Sequence, residues 1–202
     1  MSDPYVYPGT DVLINKRNIR DADALERFER VMSRRRAREP LFDLPITYEG
    51  YRAVHKHLFQ DVYHWAGQSR TVSLAKGATF FGPPDFVESE MKKRFDLLEK
   101  ERTLKGLRKA DFAKRAAEHL GEINAIHPFR EGNGRAQRYF LKLLARQAGH
   151  KLDLQRIKPE PWHQASVHSF HGKHEALEKI IRGAIVEPVR LRSRTRADGR
   201  ER

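Results

Sequence analysis

Apolar residues recur at three- and four-residue spacing along most of the chain, a period that predicts amphipathic helices. The clearest stripe lies in residues 47–66 and is followed by Gly67, a typical stop signal. Its apolar members are Tyr51, Val54, Leu58, Val62 and Trp65. Comparable stripes predict further helices over residues 21–38, 85–102, 135–148, 159–170 and 172–187, and another that begins at Asp111. The chain is therefore expected to be mainly α.

The ends of two predicted helices carry additional signals. Acidic pairs have the spacing of N-terminal capping boxes, Asp23 with Glu26 in the first helix and Asp85 with Glu88 in the third. The first helix is expected to bury a face made of Leu25, Phe28 and Val31.

The period changes over residues 70–81, where β-branched and aromatic residues flank a Lys76-Gly77 step. Pro83-Pro84 ends this segment. Such a pattern predicts a short β-hairpin.

The composition fits one folded domain with a basic tail. The chain has 202 residues and no Cys, and 40 Lys and Arg outweigh 27 Asp and Glu to give a net charge of +13. A chain of this length supplies one core, so we expect a single domain over residues 1–188. Residues 189–202 are Arg-rich without an apolar period, which predicts a disordered tail.

Several classes of protein are excluded or disfavoured by the same composition. Without Cys there is no disulfide framework, thiolate metal site or Cys nucleophile. No stretch has the roughly 20 apolar residues of a membrane span, and the N-terminus lacks the basic start and apolar block of a signal peptide. We therefore expect a cytoplasmic protein with no membrane partner.

The segment that carries candidate chemistry is HPFREGNGRAQR, residues 127–138. Proline and two glycines interrupt the helical pattern, and Gly132, Asn133 and Gly134 come just before a new helix. Glycines allow successive N–H groups to point inward, and the helix N-terminus adds unsatisfied amides and a positive dipole end. This arrangement favours a phosphate.

Charged neighbours extend this anion site. Arg135 and Arg138, at i and i+3, can hold further phosphate oxygens. Glu131 would be repelled by bare phosphates but suits Mg²⁺, which prefers carboxylate and phosphate oxygens together. His127 titrates near neutrality and suits a general base. Each piece alone is weak, but together they indicate a polyphosphate site with a metal and a base.

This segment resembles the Fic-domain motif, His-Pro-Phe-x-Asp/Glu-Gly-Asn-Gly-Arg-x-x-Arg, at every specified position. The resemblance extends to YVYPGTDVLINKRNIRD, HLFQDVYHWAGQSRTV and LAKGATFFGPP, which look like segments of short bacterial Fic toxins and related adenylyltransferases. It covers residues 5 to 187. It implies a Fic-type helical bundle with a small β-hairpin flap.

The resemblance implies an enzyme that transfers AMP from ATP to a Tyr, Ser or Thr hydroxyl of a target protein. In this reading His127 takes the hydroxyl proton, and Glu131 holds Mg²⁺ against the α and β phosphates. The amides of Gly132 to Gly134 and the Asn133 side chain receive phosphate oxygens, and Arg135 and Arg138 hold the outer phosphates. Phe129 anchors the loop in the core. The residues of the flap that would pair with the target are Val72, Ser73, Leu74, Ala75, Lys76, Gly77 and Phe80.

Departures from the wider superfamily refine this expectation. Doc-type kinases carry Lys at the position of Gly134, so Gly134 favours AMP transfer. Many Fic proteins contain an inhibitory helix with the pattern Ser/Thr-x-x-x-Glu-Gly/Asn, whose Glu pairs with the residue here numbered Arg138. The sequence lacks this pattern, because Glu49-Gly50 and Glu131-Gly132 are preceded at the required distance by Pro45 and His127. We therefore expect a separate small antitoxin that carries the motif.

The target is suggested by analogy alone. Short bacterial Fic toxins modify the ATPase subunits of DNA gyrase and topoisomerase IV, which are the leading candidates here.

Two alternatives stay open. A Fic-type fold can transfer another nucleotide or phosphate group, since the loop does not recognise the nucleobase. A basic nucleic-acid-binding module would explain the +13 charge. The sequence contains no RNP, KH or zinc-finger pattern, so direct nucleic-acid binding is not favoured.

Overall fold

Helices make up most of the structure, a computed structural model that describes residues 3–39, 44–77 and 79–186. In chain order they are α1 (Ala22–Arg38), α2 (Tyr48–Phe59), α3 (Val87–Lys100), α4 (Lys109–Ile126), α5 (Asn133–Gln147), α6 (Pro159–Phe170) and α7 (Glu175–Ala184). Strands β1 (Ala75–Lys76) and β2 (Thr79–Phe80) form one antiparallel pair, and β3 (Lys151–Leu152) and β4 (Ile185–Val186) form another. The prediction of a mainly α fold with a small hairpin is confirmed. The predicted tail, residues 189–202, lies outside the described residues.

Helices α2, α4 and α5 meet at the centre of the molecule. α4 packs against α3, α5, α6 and α7, while α2 packs against α1, α3 and α5. Aromatic rings fill the junction: the ring of Tyr51 lies 5.3 Å from that of Phe129 and 5.2 Å from that of Phe140. Burying one such side chain stabilises the fold by about 1.5–3 kcal/mol. Because Phe129 belongs to the α4–α5 loop and is fully buried, that loop is anchored in the core, as predicted.

Helix α2 is shorter than predicted, since it ends at Phe59 and not at residue 66. The chain then turns back, and Gly67 adopts a φ of +84° against the side of α2. A Cβ on Gly67 would lie 2.8 Å from Cβ of Lys56, so this close approach requires glycine. Val62 is buried in this turn and keeps helical spacing by coincidence, which extended the predicted stripe beyond the helix.

The two predicted capping boxes are wrong. α1 is capped by Asp21, whose carboxylate accepts a hydrogen bond from the Ala24 N–H at 2.7 Å. α3 follows a 3₁₀ turn over Pro84–Phe86 and has no side-chain cap. Glu88 instead contacts the hydroxyl of Ser69.

The buried face of α1 also differs from the prediction. Val31 is 63% exposed, whereas Leu25, Glu29 and Ser33 form the buried face. α1 therefore turns polar side chains towards the interior of the molecule.

The C-terminal region contains a strand that was not predicted. α7 begins at Glu175 and ends at Ala184, inside the predicted range of residues 172–187. The next two residues pair with β3, with Lys151 opposite Val186 and Leu152 opposite Ile185. None of the helices in the three described ranges is long and apolar enough to cross a membrane.

Candidate active site

The loop between α4 and α5 is bounded by two residues with left-handed backbone conformations. α4 ends at Ile126 and is followed by His127, which adopts a left-handed φ of +51°. α5 begins after Gly132, which has a φ of +84°. A left-handed histidine is sparsely populated and is held only where the surroundings fix it. The first amides of α5 are therefore presented at a helix N-terminus beside a histidine, as the motif predicts.

The His127 side chain is oriented to accept a proton. Its Nδ1 lies 3.3 Å from the carbonyl oxygen of Asn124. Because a carbonyl only accepts, Nδ1 carries the proton and Nε2 has the free lone pair. Burial lowers the pKa of His127 to about 4, although the hydrogen bond to Asn124 acts in the opposite direction. The imidazole is thus neutral near pH 7.

An aromatic ring from the end of the flap fixes the plane of this imidazole. The ring of Phe81 stacks on His127 with centroids 3.8 Å apart and planes 21° apart. Phe81 also meets Phe170 of α6 edge to face at 6.0 Å. Phe81 was not among the predicted site residues, although it follows the flap directly.

The loop backbone rests on a second, deeply buried histidine. His55 of α2 stacks between Phe129 and Phe59, with centroids 3.9 Å and 4.6 Å away. Its Nδ1 accepts from the Gly67 N–H at 2.9 Å, so Nε2 carries the proton and donates to the Glu131 carbonyl at 2.8 Å. Burial lowers the pKa of His55 to about 3. A neutral imidazole with a fixed tautomer therefore sets the position of the Glu131 peptide.

The Asn133 side chain closes the loop from inside. Its Oδ1 accepts from the Phe129 N–H at 3.0 Å, and its Nδ2 donates to the Phe129 carbonyl at 2.7 Å. Asn133 is 2% exposed. This differs from the predicted contact between the Asn133 side chain and a phosphate, since both ends of the amide are already occupied.

Arg135 is held by a buried carboxylate. Its Nη2 lies 2.5 Å from Oε1 of Glu29 on α1, and the Tyr63 hydroxyl donates to the other oxygen of Glu29. The guanidinium lies 4.7 Å above the Phe59 ring. Glu131 is farther away, with Oε1 3.4 Å from Nη2 of Arg135. Glu29 therefore fixes the position of Arg135, the first arginine of the motif, which is predicted to hold the outer phosphates.

Arg138 has a different environment. It makes a 3.3 Å hydrogen bond from Nε to the Gly134 carbonyl, and no carboxylate of the described ranges pairs with it. Burial, with a smaller contribution from the charge of Arg135, lowers the pKa of Arg138. A partly buried cation without a counter-ion is suited to an anionic ligand.

Two cavities meet at these charged residues. One, of about 590 Å³, lies between the flap, the loop and α6. The residues that line it include Lys76, Gly77, Asn124, His127, Trp162 and Ser166. The other, of about 1030 Å³, lies between α1 and residues 154–159. Glu131, Arg135 and Arg138 line both, so they form the boundary between the two cavities.

The flap is small and reaches one of these cavities only at its tip. Ala75 pairs with Phe80 and Lys76 with Thr79. Of the predicted flap residues, Lys76 and Gly77 line the smaller cavity, and Phe80 is 77% exposed. Val72, Ser73 and Leu74 form the irregular segment that leads into β1, in which Ala75 is exposed.

The sequence and the fold are both shared with known proteins. Residues 45–145 match the model of the Fic/DOC family. The chain is 45% identical over 186 residues to "Probable protein adenylyltransferase y4lH" of Sinorhizobium fredii, covering 92% of this chain and 97% of that protein. It is 40% identical to "Probable protein adenylyltransferase Fic" of Escherichia coli, with coverage of 92% and 93%.

Solved structures show the same fold. The BepC protein of Bartonella tribocorum, with bound AMPPNP, superposes with a TM-score of 0.82 at 25% identity, covering 91% of this chain and 97% of that one. A Fic domain from Bartonella quintana with bound ADP gives 0.84 at 27% identity, covering 92% and 95%. The chain belongs to the Fic/DOC family, and the predicted Fic-type fold is confirmed. Within that family it is a protein adenylyltransferase, which makes it a nucleotidyltransferase.

Proposed function

We propose that the smaller cavity binds ATP and that the site transfers its AMP to a Tyr, Ser or Thr hydroxyl of a target protein. The observation that carries this proposal is that His127, with the lone pair of its Nε2, the first amides of α5 and the guanidinium of Arg138 line one cavity of about 590 Å³. This volume is within the range of small-molecule sites. The nucleotides named for two related structures, AMPPNP and ADP, support a nucleotide as the ligand.

The proposed reaction follows from these positions. The target hydroxyl gives its proton to Nε2 of His127, while its oxygen forms a bond to the α phosphorus of ATP. The bond between the α phosphorus and the bridging oxygen breaks, and pyrophosphate leaves with that electron pair. The amides of Asn133 and Gly134 and the guanidinium of Arg138 stabilise the phosphate charge, while the Gly132 amide donates to Glu131. Arg135, held in place by its ion pair with Glu29, also stabilises the phosphate charge.

Glu131 is the residue that would hold Mg²⁺. Its Oε1 accepts from the Gly132 N–H at 2.7 Å, and Oε2 makes no hydrogen bond within the described ranges. Those ranges contain no group of three acidic, His or Cys side chains that could hold a metal. One carboxylate with substrate phosphates fits the ligands that Mg²⁺ takes in nucleotide sites, where the ion neutralises phosphate charge.

Labelled ATP tests the proposed reaction. The protein is incubated with Mg²⁺, a bacterial lysate and ATP labelled on either the α or the γ phosphate. We expect label in protein only from the α position. Label only from the γ position would make the protein a kinase, and no label from either would indicate another nucleotide donor.

The same labelled bands identify the target. We propose the ATPase subunits of DNA gyrase and topoisomerase IV, because the sequence resembles short bacterial Fic toxins. Mass spectrometry of the bands should find a modified hydroxyl residue in these subunits. Label confined to other proteins would contradict this target while leaving AMP transfer intact.

We also propose that a small antitoxin binds the larger cavity and places a Glu against Arg138. The cavity of about 1030 Å³ and the lack of a carboxylate partner for Arg138 among the described residues support this proposal. Candidate partners carry the Ser/Thr-x-x-x-Glu-Gly/Asn pattern that this sequence lacks. Co-expression should give a complex without transfer activity, and replacing the partner's Glu by Ala should restore transfer. Full activity in the presence of a bound partner would contradict the proposal.

The two glycines of the loop should respond differently to replacement by alanine. A Cβ on Gly132 would lie 2.3 Å from the Phe59 ring at a φ of +84°, so Gly132→Ala should lower the free energy of unfolding by about 2–4 kcal/mol. Gly134 has open space around its Cβ position and lines the nucleotide cavity. Gly134→Ala should therefore keep its stability and lose about tenfold in ATP affinity, or about 1.4 kcal/mol.

Urea unfolding and calorimetric titration with ATP measure these two effects. Each variant is the control for the other, since both add one methyl group to the same loop. Wild-type ATP affinity in Gly134→Ala would show that this glycine does not contact the nucleotide.

A further inference from the structure

Arg70 is a fully buried arginine that hydrogen-bonds only to backbone carbonyls. It is 2% exposed and follows the turn that leads from α2 into the flap. Its Nη1 donates to the Val72 carbonyl at 2.6 Å, and its Nε donates to the His127 carbonyl at 2.8 Å. Its Nη2 donates to the carbonyls of Gly82 and Ile126. One guanidinium thus joins both ends of the flap to the start of the loop that carries His127.

The charge of Arg70 is balanced by a helix end. Within the three described ranges no carboxylate pairs with it, which is unusual for a buried cation. Two of its four acceptors, the carbonyls of Ile126 and His127, lie at the C-terminus of α4, where the helix dipole is negative and carbonyls lack helical partners. Burial lowers the pKa of Arg70, but an arginine side chain stays charged in proteins.

Backbone contacts strengthen the same connection. The Arg70 N–H donates to the Pro128 carbonyl at 2.8 Å, and the Gly82 N–H donates to the Ala125 carbonyl at 3.4 Å. Between these two points Phe81 stacks on the His127 ring. Both ends of the flap are therefore fixed to residues 125–128, and the motif residues after Pro128 are held separately by His55 and Asn133.

We propose that Arg70 is a positioning residue that fixes the flap and His127 relative to each other, so that a hydroxyl docked on the flap meets Nε2. This rests on the proposed function of His127 as the base. Arg70 lies outside the motif of residues 127–138 and touches neither cavity. It acts through the carbonyls it binds, and only the planar fork of an arginine reaches acceptors on both sides at once.

The conservative variant Arg70→Lys tests the proposal. An ammonium group keeps the charge but cannot span carbonyls of the flap and of α4 together. We expect hydrogen-exchange protection of the Phe81 and Gly82 amides to fall by about tenfold or more. At saturating ATP, the rate of AMP transfer to lysate proteins should fall by about 10²-fold, the effect of misplacing reacting groups by about 1 Å. The KM for ATP should stay within about twofold, since the phosphate-binding residues are held without Arg70.

The matched control is Arg115→Lys. Arg115 is only partly buried, but like Arg70 it uses several guanidinium nitrogens as donors. Its acceptors are Glu101 and Glu118, and it lies far along α4 from the loop. It should lower overall stability without changing flap protection or the rate of transfer at saturating ATP. A wild-type transfer rate in Arg70→Lys, or unchanged protection of Phe81 and Gly82, would overturn the proposal.

The wild-type protein provides a test that does not depend on folding of a variant. If Arg70 joins the flap and the loop, the amides of Arg70, Gly82 and His127 should exchange through one opening event, with the same free energy and the same denaturant dependence. Separate opening of the Gly82 and His127 amides would overturn the proposal. Failure of the base assignment would look different, because transfer would then survive in His127→Ala while this joint opening persisted.

Discussion

Replacing His127 by alanine is expected to lower AMP transfer to protein by about 10²–10⁴-fold, the contribution typical of a positioned general base. ATP binding should change little, because the first amides of α5, Arg135 and Arg138 remain. Transfer is measured with α-labelled ATP, and binding is measured by calorimetry. His64→Ala is the control, since His64 is exposed and lines neither cavity.

The pH profile gives the same prediction a second readout. Burial lowers the pKa of His127 to about 4, so the base is already deprotonated at neutral pH. The value of kcat/KM for ATP should therefore fall on the acid side near pH 4 and not near 6.5, the usual value for histidine. An acid limb near 6.5, or transfer that survives in His127→Ala, would remove His127 as the base.

The stability of the fold is expected to fall as the pH drops from about 6.5 towards 3, and His55 should account for a large part of this loss. Its pKa is about 3 in the folded protein and about 6.5 when unfolded. Between these values the unfolded chain binds a proton that the folded chain does not, so acid favours unfolding. The contribution of His55 to the free energy of unfolding is fully present above pH 6.5, and it decreases by about 1.4 kcal/mol per pH unit below that value.

His55→Gln isolates this contribution. The variant loses the ring between Phe59 and Phe129, so its free energy of unfolding at pH 7 should fall by about 2–4 kcal/mol. Its dependence on pH between 4 and 6.5 should be shallower than that of the wild type by about 1.4 kcal/mol per pH unit. Urea unfolding over this range measures both, with His64→Gln as the control. An unchanged slope in His55→Gln would show that His55 is protonated in the folded protein.

The motif could be read from the sequence because its chemistry lies in 12 consecutive residues, from His127 to Arg138. Local rules also predicted the helix after the glycines and the hairpin before Pro83-Pro84. The residues that orient the site lie far away in sequence. Glu29 is 106 residues from Arg135, and His55 is 76 residues from Glu131. No local pattern specifies such contacts.

A weak signal for Glu29 was nevertheless present. Leu25, Glu29 and Ser33 are four residues apart and share one face of α1. The predicted apolar stripe of Leu25, Phe28 and Val31 did not include Glu29, and charged residues usually lie on the solvent side of a helix. The ion pair with Arg135 and the hydrogen bond from Tyr63 make the burial of Glu29 favourable, and neither partner is visible in the sequence of α1. Arg70 was missed for the same reason, since its acceptors are backbone carbonyls of distant segments.

The boundary shared by the two cavities has a thermodynamic consequence. Glu131, Arg135 and Arg138 face both spaces, so a ligand in one changes the charges available to a ligand in the other. Linkage requires the effect to be reciprocal: an occupant of the larger cavity that weakens nucleotide binding by some factor is itself released more readily by nucleotide, by that same factor. The fraction of enzyme held inactive by such an occupant would therefore decrease as the concentration of ATP in the cell rises.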